Sequence, residues 1–371
     1  MKKIIVLAFA ASFAIPSFTQ DSPYQFTQVK NLDVTATEDQ SASGTCWSFA
    51  TISFLESEII RKGNAPVDLS EMYNVRMMYP RKTESYVRFQ GKQQFGPGGL
   101  MHDVLNTVHD YGMVPEPAYT GLDSGKTNHD HGLLDIMLES IVKTVLDKKL
   151  NEQNNEWRKA VDAILDEYLG VAPSKFEYAG KQYTPASFRD AMGIKADDYV
   201  SITSFSHHPF YSQFVLEVPD NWAKGNFYNV PLDDLQKIAD HAIENGYTVA
   251  WDADVSEKGF SFKNGIAVFP TDDTAKEDLY KKMVSEKNVD QPMRQYGFDS
   301  FQTTDDHLMH ITGKAKDQNG TVYYTTKNSW GTGNAWNGYQ QVSQAYFRMK
   351  TIGIVVHKDA LPKDIRKKMG I

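Results

Sequence analysis

A chain of 371 residues with 41% hydrophobic and 23% charged residues is long enough to bury one large core or two ordinary ones, and too apolar to stay disordered. Its formal charge of −8 argues against nucleic acid or an anionic membrane as the main partner, because both need a basic surface. The single cysteine, Cys46, has no second thiol in the chain to pair with, so it either packs or reacts.

The first elements set the compartment. Met1-Lys2-Lys3, the apolar run Ile4 to Ile15, Pro16 and the small residues Ser17 and Thr19 read as a secretory signal peptide, with cleavage expected at Thr19/Gln20. The run is shorter than the about 20 apolar residues a membrane span needs, and no cysteine follows it to carry a bacterial lipid anchor. An exported chain, periplasmic or secreted and without a stable membrane anchor, is the expectation. An unpaired thiol in an oxidising compartment is a liability unless it does chemistry.

Cys46 follows Ser43-Gly44-Thr45 and opens an apolar run to Lys62 that stops at Gly63-Asn64, the pattern of a buried helix. A thiol in the first turn of a helix feels the positive end of its dipole, which favours the thiolate. A second helix is expected over Leu69 to Met78, capped by Asp68 or Ser70. Phe95-Gly96-Pro97-Gly98-Gly99-Leu100 is a glycine-rich loop leading into a helix near His102 to Tyr111, and Gly98 and Gly99 expose bare backbone to an approaching chain. Leu133 to Leu169 is charged with helical period, suggesting two helices. Glu177 to Thr184 reads as a hairpin around Ala179-Gly180, and Pro185 starts a short helix. Leu232 to Gly246 is an amphipathic helix and Thr248 to Asp252 a strand.

The last third is strand-rich. His307 to Lys316 and Thr321 to Lys327 flank Asp317-Gln318-Asn319-Gly320, a strong hairpin turn. Whether the hairpin closes on those four residues or on Asn319-Gly320 alone, the loop is even. His307, Asn328 and Trp330 then fall on one face of the sheet.

A cysteine nucleophile needs a base within hydrogen-bond reach and a third group to orient that base. Cys46, His307 and Asn328 supply these roles, and Trp330 can shield the histidine–asparagine bond from water. Gln40 can donate its side-chain amide to a developing oxyanion, with the Cys46 backbone N–H as second donor. Metal ligation is a weaker reading of His307 and His310 with Asp305 or Asp306, of His129-Asp130-His131, and of His207-His208, because three spaced ligands with supporting partners are not evident. No metal and no cofactor are expected.

Gln40 through Cys46-Trp47, together with His307 and Asn328-Ser329-Trp330-Gly331, resembles the papain superfamily, and within it the bleomycin hydrolase and aminopeptidase C family. The papain-type pattern has a disulfide cysteine three residues before the nucleophile; Ser43 stands there, as in the bleomycin hydrolase branch. The stretch between Cys46 and His307 far exceeds the roughly 130 to 150 residues of papain-type enzymes, which matches a branch with a large helical insertion. Phe227 to Leu232, Asp306 to Met309 and Ala345-Tyr346-Phe347 are further matches. The resemblance implies an α+β papain-like fold, with an N-terminal helical lobe around a central active-site helix, an antiparallel barrel-like β lobe and a helical insertion. Together with the signal peptide read from the first residues (1–19), it divides the chain into a helical lobe with the nucleophile (20–124), the insertion (125–200) and a β-rich lobe with the histidine, the asparagine and the tail (201–371).

By the same resemblance, Gln40, Cys46, His307 and Asn328 take the catalytic roles, and Gly98 and Gly99 pair with the backbone of bound peptide. The family assembles as a homo-hexamer whose C-terminal arm lies in the cleft and restricts cleavage to the amino end; the tail here is shorter. The implied function is an exported cysteine aminopeptidase acting on peptides. An endopeptidase, an amidase or acyl transferase with the same triad, and a non-catalytic peptide-binding protein of papain fold are the alternatives.

Overall fold

The computed structural model describes residues 22–122, 125–150, 155–272 and 278–371; the expected signal peptide lies outside the described residues. Helices dominate the first half: α1 (Cys46–Arg61), α2 (Glu71–Arg88), α3 (Met101–Tyr111), α4 (Gly132–Lys148), α5 (Glu156–Leu169) and α6 (Pro185–Ala191). Helix α1 is buried at every residue from Trp47 to Ile59, so its apolar positions on several faces are matched by protein on several sides. The side chains that α4 and α5 bury (Leu134, Leu138, Trp157, Val161, Leu165) belong to the same apolar cluster as Trp47, Phe54 and Leu55 of α1.

Helix α2 differs from expectation. It begins after the Ser70 cap, whose hydroxyl accepts from Tyr73 N at 3.1 Å, but continues past Met78 through Pro80 to Arg88. An interior proline costs about 3 kcal/mol in lost hydrogen bonding and steric clash. Burial of Lys82, Thr83 and Tyr86 beyond it offsets that cost.

The sheet joins β1 (Thr27–Asn31), β4 (Tyr199–Thr203), β5 (Gln213–Val215), β6 (Asn226–Asn229), β7 (Val249–Ala253), β8 (Phe260–Ser261), β9 (Ile266–Ala267), β10 (His307–Lys316), β11 (Val322–Lys327), β12 (Tyr339–Ser343) and β13 (Thr351–His357), in the order β5-β6-β4-β13-β7-β10-β11-β12-β9-β8. Most pairs are antiparallel; β4–β6 and β9–β12 run parallel. A separate hairpin, β2 (Phe176–Tyr178) and β3 (Lys181–Tyr183), turns on Ala179 and Gly180, both at positive φ. Strand β10 pairs with β7 along His307 to Ile311 and with β1 along Gly313 to Lys316, so the amino-terminal segment of the chain is stitched into the β lobe. Helices α7 (Leu232–Glu244), α9 (Gln344–Lys350) and α10 (Lys363–Met369) cover the other face, with Leu235, Ile238, Phe347, Ile365 and Met369 in a second apolar cluster. Helix α8 (Gln291–Asp299) precedes β10.

The β10–β11 hairpin departs from the expected even loop. Lys316 pairs with Val322, leaving five residues between the strands. Asp317 sets this length: its Oδ1 accepts from Asn319 N and Thr321 N, both at 2.9 Å. An odd loop alone would turn Asn328 to the wrong face. A bulge between Ile311 and Gly313 takes up the extra residue, and His310 then pairs with Lys327, which returns His307, Asn328 and Trp330 to one face.

Candidate active site

The thiol sits where two tight contacts define the start of α1. Gly44 has φ +66°, and a Cβ there would lie 2.6 Å from Pro97 Cγ, so this turn requires glycine. Ser43 Oγ and Thr45 Oγ1 share a hydrogen bond of 2.6 Å, which occupies the place where the papain pattern has a disulfide cysteine. The indole Nε1 of Trp47, adjacent to the thiol, donates to Pro97 O at 2.9 Å and holds the glycine loop against the helix start. The Lys82 ammonium supports the same loop from below, donating to Gly96 O at 2.6 Å and to Gly98 O.

The sulfur faces the beginning of β10, where the Leu308 backbone N–H points at it, one residue from His307. The imidazole Nε2 is 2.8 Å from Asn328 Oδ1. Asn328 Nδ2 donates to Gln340 Oε1 at 2.7 Å, so its carbonyl end is the one turned to the ring. Nε2 therefore carries the hydrogen, and the lone pair of the neutral ring is on Nδ1. Trp330 stacks on the imidazole with ring centroids 4.4 Å apart and covers the His307–Asn328 bond.

Gln40 is fixed by the strand segment that follows Asn328. Its N–H donates to Ser329 O at 2.9 Å, and its Oε1 accepts from Ser329 Oγ at 2.7 Å. Asp39 and Trp330 form an antiparallel bridge beside them. With Oε1 engaged, the amide NH₂ is the end left to donate, and the first N–H groups of α1 have no partner within the helix.

Electrostatics here differ from the simple helix-dipole expectation. Burial pushes the Cys46 thiol up to about 12, the Leu308 N–H opposes this, and Asp252, Asp305 and Asp220 push it further up. Burial holds His307 down at about 4, with the Asn328 bond acting in the opposite sense. Taken singly, each group is pushed toward its neutral form. Moving the proton from sulfur to ring creates both charges together, and their attraction offsets part of the desolvation that each would meet alone.

Sequence reasoning missed three groups of residues here. Gln340 and Ser329 orient Asn328 and Gln40; Ser329 stands in the Asn328-Ser329-Trp330-Gly331 motif without a role read for it, and no sequence signal marks Gln340. Asp252 is an aspartate inside an otherwise apolar strand, a pattern that signals a buried charge. Asp305 was legible only as a weak metal candidate beside His307. Of the other histidines, His310 lies on the opposite face from His307 and meets Ser53 Oγ at 2.9 Å. His129 and His131 face each other at 5.7 Å. Among the described residues, His207, His208 and Glu217 bring three ligand-type atoms within 4.8 Å of one another, but Glu217 already bonds both rings, at 3.2 and 2.6 Å.

A helical lobe presenting a cysteine at a helix start, against a sheet lobe presenting a histidine held by an asparagine, defines the class of papain-like cysteine peptidases. The chain belongs to the Peptidase C1-like family, whose model matches residues 75–370, a stretch that contains His307 and Asn328 and begins after Cys46. It is 26% identical to Aminopeptidase G of Lactobacillus delbrueckii subsp. lactis, over 88% of this chain and 82% of that one. It is 24% identical to Aminopeptidase C of Streptococcus thermophilus, over 92% and 85%. The crystal structure of pepw from Lactobacillus rhamnosis superposes with a TM-score of 0.73 at 22% identity, covering 93% of this chain and 84% of that one. These relatives are those of the bleomycin hydrolase and aminopeptidase C family, and the fold is papain-like.

Proposed function

We propose that this cysteine peptidase is an exported aminopeptidase. The observation that carries its chemistry is the His307 Nε2–Asn328 Oδ1 bond of 2.8 Å, which leaves Nδ1 free as base at the strand start beside the thiol of Cys46, whose neighbour there is the Leu308 backbone. In this reading His307 Nδ1 takes the thiol proton as sulfur attacks the carbonyl carbon. Gln40 Nε2 and the Cys46 N–H stabilise the oxyanion; one such donor is worth about 3 kcal/mol. The C–N bond breaks as the imidazolium returns its proton to the leaving amine. Water, deprotonated by His307, then hydrolyses the thioester.

Gly98 and Gly99 receive the peptide backbone on the amino-terminal side. The aminopeptidase names of the relatives support cleavage at the amino end, and the composition of residues 1–19 supports export. The test compares chromogenic amino-acid amides with amino-blocked internal peptides. Faster turnover of the free-amino substrates is expected; faster turnover of the blocked peptides would make the chain an endopeptidase. Amino-terminal sequencing of the mature protein from its native host checks the Thr19/Gln20 cut.

A further inference from the structure

Beside Cys46 lies a group of carboxylates that the proposed bond-cleavage chemistry does not use. Asp252 stands directly across the β7–β10 ladder from Leu308, the residue whose N–H faces the sulfur. It is fully buried, and neither of its oxygens meets a hydrogen-bond donor among the described residues. Asp305, two residues before His307, is the group that raises it most after burial itself, and its Oδ2 is likewise unpartnered. Asp220 completes the group from the opposite wall. Its carboxylate presses against Gly98, where a Cβ would lie 2.0 Å from Oδ2, and Gln94 Nε2 donates to its Oδ1 at 2.6 Å.

Lys82 is the cation on this side. It acts on Asp220 and Asp103, but its hydrogen bonds go to the carbonyls of Gly96 and Gly98. The groups that shift Asp252 and Asp305 most, besides burial, are other carboxylates. Two facing carboxyls without a counter-ion are costly to bury, and a proton held between them is the least costly occupant in the empty site. An ammonium or guanidinium group delivers the same neutralisation with more hydrogen bonds.

We propose that Asp252, Asp305 and Asp220 form a cation-binding subsite next to Cys46 that takes a positively charged group from the amino-terminal side of the scissile bond. This rests on the peptidase reading for its substrate class and deepens it. The entering cation displaces the shared proton to solvent. The charge can come from the free α-ammonium of the first residue or from a lysine or arginine side chain; both present the same chemistry to the site.

The test measures binding by the full chain carrying Cys46→Ser, so that nothing is consumed. Four ligands of one length are titrated calorimetrically: norleucyl-leucine amide, N-acetyl-lysyl-leucine amide, lysyl-leucine amide and N-acetyl-norleucyl-leucine amide. At least tenfold tighter binding of a cation-bearing ligand over the acetylated norleucyl one is expected, and the ligand that shows it identifies the source of the charge. Asp252→Asn and Asp305→Asn, which keep side-chain volume, should each remove most of that preference, with Asp220→Asn as the variant outside the buried pair. Equal binding of all four ligands, or a preference that survives all three substitutions, overturns the subsite. Hydrolysis of the same compounds by the chain with Cys46 intact reads the peptidase proposal separately: cation-selective binding without hydrolysis would sink that proposal and leave the subsite standing.

Discussion

Asn328 shows how much one side chain holds together. Its Oδ1 accepts from the imidazole and from Ser329 N at 2.7 Å, and its Nδ2 donates to Gln340. Asn328→Ala frees the ring to turn and to change tautomer. We expect kcat to fall by about 10²-fold with KM little changed; a fall in kcat/KM arising from KM alone would assign Asn328 to substrate binding. The proposed role of Gly98 in binding gives a second test. Gly98→Ala drives a methyl into the Asp220 carboxylate, and the expected result is KM raised by about tenfold, equal to about 1.4 kcal/mol, with kcat nearly unchanged. An unaltered KM would mean that this backbone does not meet the peptide.

At the scale of elements, the β10–β11 hairpin is the most informative piece. The five-residue loop and the bulge at Thr312 each reverse the facing of the strand, and together they restore it. Deleting Thr312 removes the bulged residue while Ile311 can still pair with Thr326, so His307 stays opposite Trp330. Turnover is expected to remain within about tenfold of the parent chain, with some loss of stability because Thr312 O accepts from Leu32 N. Loss of activity in a chain that still melts cooperatively would show that the bulge does more than absorb a residue. The helix start is less forgiving. Gly44→Ala meets both a positive φ and Pro97, a cost of about 1 to 3 kcal/mol, visible as a Tm several degrees lower.

For the whole molecule, buried ionisable groups set the response to pH. Burial raises Glu56 and Glu286 to about 7 and Glu116 to about 8, and Glu71 also sits well above its ordinary value. In the unfolded chain these groups ionise near 4.5. The folded state therefore holds protons that the unfolded state has released, and stability falls as pH rises through 7 to 8. His307 and His131, held near 4 by burial, act in the opposite sense, but only below 6.5, where the unfolded histidine charges. Calorimetry should find Tm decreasing between pH 6.5 and 8; a flat or rising Tm would show that these carboxyls are solvated.

Lys327 answers part of this burden. It donates to Ser53 Oγ at 2.8 Å, and Glu56, Glu71, Glu38 and Asp68 all act on it. Lys327→Met should cost about 3 to 5 kcal/mol at pH 8 and less at pH 5, where the glutamates are protonated. A loss independent of pH would assign the lysine a packing role.

The chemistry-bearing residues were legible because their roles depend on residue type and local context. A lone thiol at a helix start, a histidine opening a strand and an asparagine after the returning strand are local patterns, as are the helix starts at Cys46 and Leu232, the helix near His102 to Tyr111 and the β2–β3 turn. Helix α2 outran its reading because tertiary burial overrode Pro80. The right facing of His307 and Asn328 was reached from an even loop that the chain does not have, and no local rule could foresee the compensating bulge.

The sequence by itself determined which groups can do chemistry, since a thiol, an imidazole and a carboxamide are properties of side chains. Tertiary structure alone decided their ionisation and their surroundings, because desolvation and the field of Asp252, Asp305 and Asp220 arise from residues far apart in the chain. The thiol expected to be acidified by its helix is instead pushed up by burial and by carboxylates that only the packing of the two lobes brings to it.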